Sequence, residues 1–175
     1  MMPAPTHLKG IVVPRDAAVD EQALSADLRC PCGGDVFDLL YPGQTHEYRG
    51  ELIPCTAEIG GHYFFILRAR CTHCSTDYLL LDGDFHGWDG FVCHDSAKAA
   101  VRRPPLVSWK CQACSESKHK VAVHLQTQGR DDFVSEAGRD FDAERWPDAF
   151  GWFSLDLTCT VCGKLSPELV SYETM

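Results

Sequence analysis

The chain has 175 residues, 45% of them hydrophobic, which is enough for a packed core in one domain or two small ones and too many for a disordered chain. Its 25 acidic against 16 basic residues give a formal charge of −9, a balance that repels phosphate backbones. No run approaches the roughly 18 apolar residues of a membrane helix, and the first residues do not join a basic cluster to an apolar run, so a soluble, cytoplasmic protein is expected.

Residues 1–29 read as an N-terminal arm. A Pro-rich start leads through Gly10-Ile11-Val12-Val13-Pro14 to a polar stretch in which Ala17, Ala18, Leu24 and Leu28 give a weak apolar face, so a short helix capped by Asp20 is expected. Cys30-Pro31-Cys32-Gly33-Gly34 then opens into Val36–Tyr41, a strand ended by Pro42-Gly43. A polar excursion carries Cys55. Residues Tyr63–Arg70 form a second strand that enters Cys71-Thr72-His73-Cys74, and Asp77–Leu81 leaves it as a third. Gly-rich and Asp-rich turns follow from Asp82 to Gly90, and Asp95–Val101 reads as a helix stopped by Pro104-Pro105.

The Pro-Pro step divides the chain into a first unit, 30–103, and a second, 104–175. The second repeats the plan: Leu106–Trp109, Cys111-Gln112-Ala113-Cys114, the alternating strand Lys120–Leu125, an acidic insertion from Gln126 to Ala149, and Trp152–Leu157 entering Cys159-Thr160-Val161-Cys162-Gly163-Lys164. The cysteine pairs are separated by 38 residues in the first unit (Cys32 to Cys71) and 44 in the second (Cys114 to Cys159). Superposing Cys71 on Cys159 sets Phe64-Phe65 over Trp152-Phe153 and Leu67 over Leu155, the pattern an internal duplication leaves.

Ten cysteines without an export signal, eight of them in close pairs, point to metal rather than disulfides. Two thiols two residues apart before a turn aim both sulfurs at one point, and each pair supplies half of a tetrahedral site. The expected ligand sets are Cys30, Cys32, Cys71 and Cys74, and Cys111, Cys114, Cys159 and Cys162. Zn²⁺ suits four thiolates because it has no ligand-field preference, so two structural ions are expected; a site with four protein ligands has no open position for substrate. Two Zn(Cys)₄ sites would take the charge to about −13.

With Cys159-Thr160-Val161-Cys162-Gly163-Lys164 fitting best, residues 30–165 resemble the zinc-ribbon class, in which two knuckles on adjacent β-hairpins share one zinc. The resemblance implies a mainly β fold with short helices, built as two ribbon-like units with insertions. Cys30-Pro31-Cys32 departs from it, with one intervening residue where the usual knuckle turn has two. The 38- and 44-residue separations also exceed the 15–20 of a compact Cys₄ finger, which implies longer hairpins between knuckles.

Iron–sulfur ligation is disfavoured because no three cysteines group closely, and redox catalysis because no pair opens a helix in a βαβ pattern. Cys55, Cys93, His94, His86 and His73 are the remaining ligand types. A third, water-accessible site at Cys55, His86, Cys93 and His94 would be catalytic, whereas isolated buried cysteines behave as small hydrophobes. Asp82, Asp84 and His86 imitate the start of a calcium loop, but Cys93 stands where the bidentate glutamate belongs, so a turn is expected. Nucleophile elbow, phosphate loop, dinucleotide fingerprint and H-E-x-x-H are all missing from the sequence.

The leading functional expectation is a zinc-stabilised, non-catalytic protein that engages a basic protein partner. Its insertion interleaves Asp131, Asp132, Glu136, Asp140, Asp142, Glu144 and Asp148 with Phe133, Phe141, Trp146 and Phe150. Aromatics would anchor an interface and carboxylates would steer, as in small acidic proteins that mask cationic nuclease surfaces. The plainer alternative is a solvated acidic face whose aromatics close over the core. Nucleic-acid binding is the second expectation, through Arg68, Arg70, Arg102, Arg103, Lys110, Lys118, Lys120 and a stacking Trp109; a metal-dependent enzyme is the third.

Overall fold

The computed structural model describes residues 1–15, 20–93, 103–138 and 140–174. The helix expected over Asp95–Val101 lies outside them, as do His94 and Arg102. The fold is mainly β, with a curled antiparallel sheet and short helices. In chain order the strands are β1 (Val12–Pro14), β2 (Ala23–Leu28), β3 (Phe37–Tyr41), β4 (Thr45–Tyr48), β5 (Glu51–Pro54), β6 (Ala57–Ile59), β7 (His62–Phe64), β8 (Ile66–Cys71), β9 (Asp77–Asp82), β10 (Val107–Ser108), β11 (His119–Gln126), β12 (Trp152–Cys159) and β13 (Leu165–Glu173). Among the described residues the helical elements are 3₁₀ turns at Thr6–Leu8 and Ala143–Asp148, a π-turn at Trp88–Val92, and the α-helix α1 (Arg130–Glu136).

Each cysteine-bounded half forms a three-stranded meander. In the first, β3 pairs β8 and β8 pairs β9; in the second, β11 pairs β12 and β12 pairs β13, all antiparallel. The registers agree. Phe37, five residues beyond Cys32, lies opposite Cys71, and His119, five beyond Cys114, lies opposite Cys159. The meanders meet where Phe37 pairs with His119.

The strands that lead into the cysteines cross between the halves. β2, ahead of Cys30, pairs with β11, whereas β10, ahead of Cys111, pairs with β3. Here too the registers correspond: Asp27, three residues before Cys30, lies opposite Ala122, and Ser108, three before Cys111, lies opposite Leu40. One hydrophobic core serves both halves, with Phe37, Leu39, Leu67 and Leu80 of the first packed against Val123, Leu125, Phe153 and Leu155 of the second.

The helix expected after Asp20 is instead β2. Leu24, Ala26 and Leu28 alternate into the core against β11, a period of two that tertiary pairing selects over a weak helical face, and Asp20 only closes a turn by accepting from the Gln22 backbone N–H. The strand expected over Tyr63–Arg70 breaks at Phe65, because β7 pairs with β6 while β8 pairs with β3. The polar excursion after Pro42 is two hairpins, β4–β5 and β6–β7. Gln112 fastens the first of them to the second half: its side-chain amide donates to the Leu52 carbonyl (2.6 Å) and accepts from the Leu52 N–H (3.3 Å), as a neighbouring strand would. Lys164 reinforces the contact through Glu51 (2.9 Å).

Candidate metal centres

Four tight turns carry the eight cysteines, and three share one geometry. The N–H of Cys71, Cys111 and Cys159 donates to the carbonyl of Thr76, Glu116 and Lys164, while the carbonyl of each accepts from Ser75, Ser115 and Gly163. The turn at Cys30 closes the same two bonds one residue sooner, with Gly34 and Gly33 as partners. The single residue between Cys30 and Cys32 thus gives a turn one residue shorter than the usual knuckle, closed by equivalent bonds. The residue after each second cysteine is left-handed: Gly33 (φ 90°), Ser75 (61°), Ser115 (62°) and Gly163 (75°). Gly34 is required for a different reason, since a Cβ there would lie 3.0 Å from Cys71 Sγ and 3.5 Å from Cys32 Sγ.

These turns bring the sulfurs of Cys30, Cys32, Cys71 and Cys74 together as one group and those of Cys111, Cys114, Cys159 and Cys162 as another, each within 4.8 Å. The nearest pairs are Cys30–Cys74 at 3.5 Å, Cys32–Cys71 at 3.7 Å, Cys111–Cys162 at 3.6 Å and Cys114–Cys159 at 3.5 Å. Four sulfurs about 2.3 Å from a tetrahedral Zn²⁺ stand about 3.8 Å apart, so both groups fit one such ion in spacing and donor set. Each pairs a buried with a more exposed thiol: Cys30 and Cys71 face inward with Cys32 and Cys74 outward, and Cys111 and Cys159 face inward with Cys162 outward. Because Cys71, Phe37, His119 and Cys159 are consecutive neighbours across the sheet, three strand spacings separate the two centres' inner cysteines, roughly 14 Å.

The surroundings favour thiolate at particular positions. Thr76, through its hydroxyl and then its backbone N–H, pulls Cys74 down to about 6. The backbone N–H of Cys162 leads the groups that pull Cys159 down to about 7. The Tyr78 hydroxyl lies 3.0 Å from Cys30 Sγ and donates to it once the sulfur is ionised, a bond that also drives Tyr78 up to about 12. Such hydrogen bonds to ligand sulfur spread the charge a cation would meet.

Among the described residues these are the only groups of three or more ligand-type side chains close enough to share a metal. His86 turns toward His7, its Nδ1 accepting from the Asp82 N–H, while Cys55 sits beyond β5 and Cys93 ends the π-turn. Asp82 and Asp84 are held by Arg103 (3.3 and 2.5 Å), and His62 approaches Asp84 at 3.1 Å; they close a turn, as the sequence implied.

Two functional expectations change. Phe133 and Phe150, offered as interface anchors, are 2% and 0% exposed. Phe133 packs with Phe141 against Phe91 and Trp88, partners that sequence spacing gave no means to foresee. Trp109, offered as a base-stacking platform, is buried edge-on against Tyr41. Of the expected basic surface, Arg70 is paired with Asp77, Lys120 with Asp35, and Arg103 with Asp82 and Asp84.

No family model matches the chain, and no curated protein or solved structure matches it.

Proposed function

We propose that the protein is a zinc-stabilised, non-catalytic binding protein. It comprises an arm (1–29) and two zinc-ribbon-like units (30–103 and 104–175), and it engages a basic protein partner through the acidic insertion of the second unit. Eight thiolates would hold two structural Zn²⁺ ions, with no coordination position left for substrate. The observation that carries the partner reading is the distribution of charge on the insertion. Asp131, Asp132, Glu136, Asp140, Asp142 and Glu144 are all exposed. Two of them, Asp131 and Asp132, line an open cleft of about 550 Å³ with Glu21, Gln22, the half-buried Trp146 and Arg130, whose guanidinium is paired with Glu144 at 3.0 Å. Trp146 supplies a flat apolar contact and a π face, the carboxylates supply steering, and a lysine or arginine side chain complements both.

Native mass spectrometry of the protein purified gently from its host tests this reading. Two zinc ions and a basic protein retained by the wild type, with that protein lost from Asp131→Lys/Asp132→Lys, are expected. Retention of the same partner by the charge-reversed variant would refute the assignment of the face.

A further inference from the structure

The leading segment is fastened to the sheet by polar contacts around Thr6 and His7. Thr6 donates its backbone N–H (2.5 Å) and its hydroxyl (2.9 Å) to the buried Asp148 carboxylate, which also accepts from Arg145 Nε at 2.9 Å. His7 Nε2 lies 3.1 Å from the Leu80 carbonyl, which can only accept, so Nε2 carries the proton. His86 Nδ1 lies 3.1 Å from the Asp82 backbone N–H, which can only donate, so Nδ1 is bare. The two rings stack at 3.7 Å with 14° between their planes. On either side Met2, Leu8 and Ile11 enter the core. The stack lines a cleft of about 240 Å³ with Phe85, Phe91, Arg145 and Asp148.

This geometry opposes a charge on His86, and on both rings together. A proton on His86 Nδ1 would set one N–H against another at Asp82, and charging both rings would place like charges in van der Waals contact. Among the described residues the charged groups facing the stack are Asp148 and Arg145, from the 3₁₀ turn at Ala143–Asp148; the carboxylate of Asp82, at the end of β9, is turned to Arg103. Asp148 would favour a cation, but Thr6 and Arg145 already occupy it. Burial dominates and lowers both imidazoles, that of His86 to about 3.

We propose that the stacked His7–His86 pair is an acid-released latch, which holds residues 1–11 against the sheet at neutral pH and frees them, widening the cleft between Phe85 and Phe91, when the rings take up protons. Detached imidazoles titrate near 6.5, so below that pH the open form binds more protons than the closed one. Closure is therefore at full strength above pH 6.5. It weakens as pH falls, by up to tenfold per pH unit through the freed His7 until its docked value is reached, whereas His86 keeps the Asp82 N–H in the open form and loses only the stacked ring.

Hydrogen exchange of residues 1–11, corrected for the intrinsic pH effect, would be followed from pH 7 to 5 on zinc-loaded protein, with metal content counted by native mass spectrometry at each pH. His7→Gln keeps a donor at the Nε2 position and His86→Asn an acceptor at the Nδ1 position, and neither titrates. The wild-type opening constant should rise roughly three- to fivefold between pH 6.5 and 5.5 with both metals retained, and the double variant should stay flat. Equal pH dependence in the two proteins, or opening only where metal is lost, would overturn the proposal. Should the double variant fold poorly, ¹⁵N spectra of the wild-type imidazoles decide alone: both rings neutral in the closed form at pH 6 supports the latch, and either ring titrating normally while the arm stays protected ends it.

Discussion

The four positions after the second cysteines show how much of a knuckle is set by one backbone angle. Gly33 and Gly163 reach positive φ without strain, whereas Ser75 and Ser115 hold the same conformation against their own Cβ. Ser115→Gly should therefore stabilise the folded protein by about 0.5–1 kcal/mol, and Gly163→Ala, which meets nothing within 4 Å, should cost about 1 kcal/mol through φ alone. Urea unfolding of the zinc-loaded variants checks both; a destabilising Ser115→Gly would show that the hydroxyl serves the turn in some other way. The sequence displayed the glycines and the cysteine pairs. It did not display that a turn shorter by one residue could close equivalent bonds, because Cys30-Pro31-Cys32 differs from the other three in spacing alone.

Among the elements, strands rich in apolar residues were legible, β8 (Ile66–Cys71) within the longer run expected over Tyr63–Arg70, and the polar or interrupted ones were not. β3, β9, β11 and β12 carry Val, Leu, Ile, Phe or Tyr at core positions and were anticipated within a residue or two. β2 was mistaken for a helix because two of its six residues are alanines, and β13 was missed because Pro167 and Glu168, the latter at φ 46°, interrupt its pattern. The β4–β5 hairpin was invisible because much of its support comes from outside: only one of its eight strand residues is buried, and Gln112 and Lys164 supply the bonds that dock it. Gln112→Ala removes both hydrogen bonds to Leu52 and should destabilise the docked hairpin by about 1 kcal/mol. Amide exchange at Glu51, Leu52 and Ile53 should rise about fivefold while exchange in β11 stays unchanged; an equal rise in both would mean that the hairpin is integral to the core.

At the level of the whole molecule, the crossed leading strands tie the two cysteine centres into one sheet. A structural zinc at each centre would contribute about 10–16 kcal/mol of apparent folding free energy, comparable with the entire stability of a domain, so loss of either would not remain local. Releasing the metal at Cys30, Cys32, Cys71 and Cys74 would loosen the end of β2 that grips β11, and releasing the other would loosen β10 from β3. Graded chelation should accordingly give two-zinc and zinc-free species with little one-zinc protein between them, and Cys159→Ser should yield insoluble or unfolded chain that has lost both ions. A stable one-zinc intermediate with native circular dichroism would contradict this coupling. The pairing that produces it joins residues nearly a hundred positions apart, such as Ala26 and Val123, and no local pattern in a single sequence encodes that choice.

The exchanged strands also bear on what the peptide link between the halves is needed for. Each half places a strand in the other's sheet and both share one core, so the grip between them is reciprocal and independent of the bond that joins them in sequence. A chain cut between Cys93 and Arg103 would leave two complementary pieces, each supplying an edge the other lacks and each carrying all four ligands of its own centre. The link contributes effective concentration; recognition between the pieces is already written in their edges.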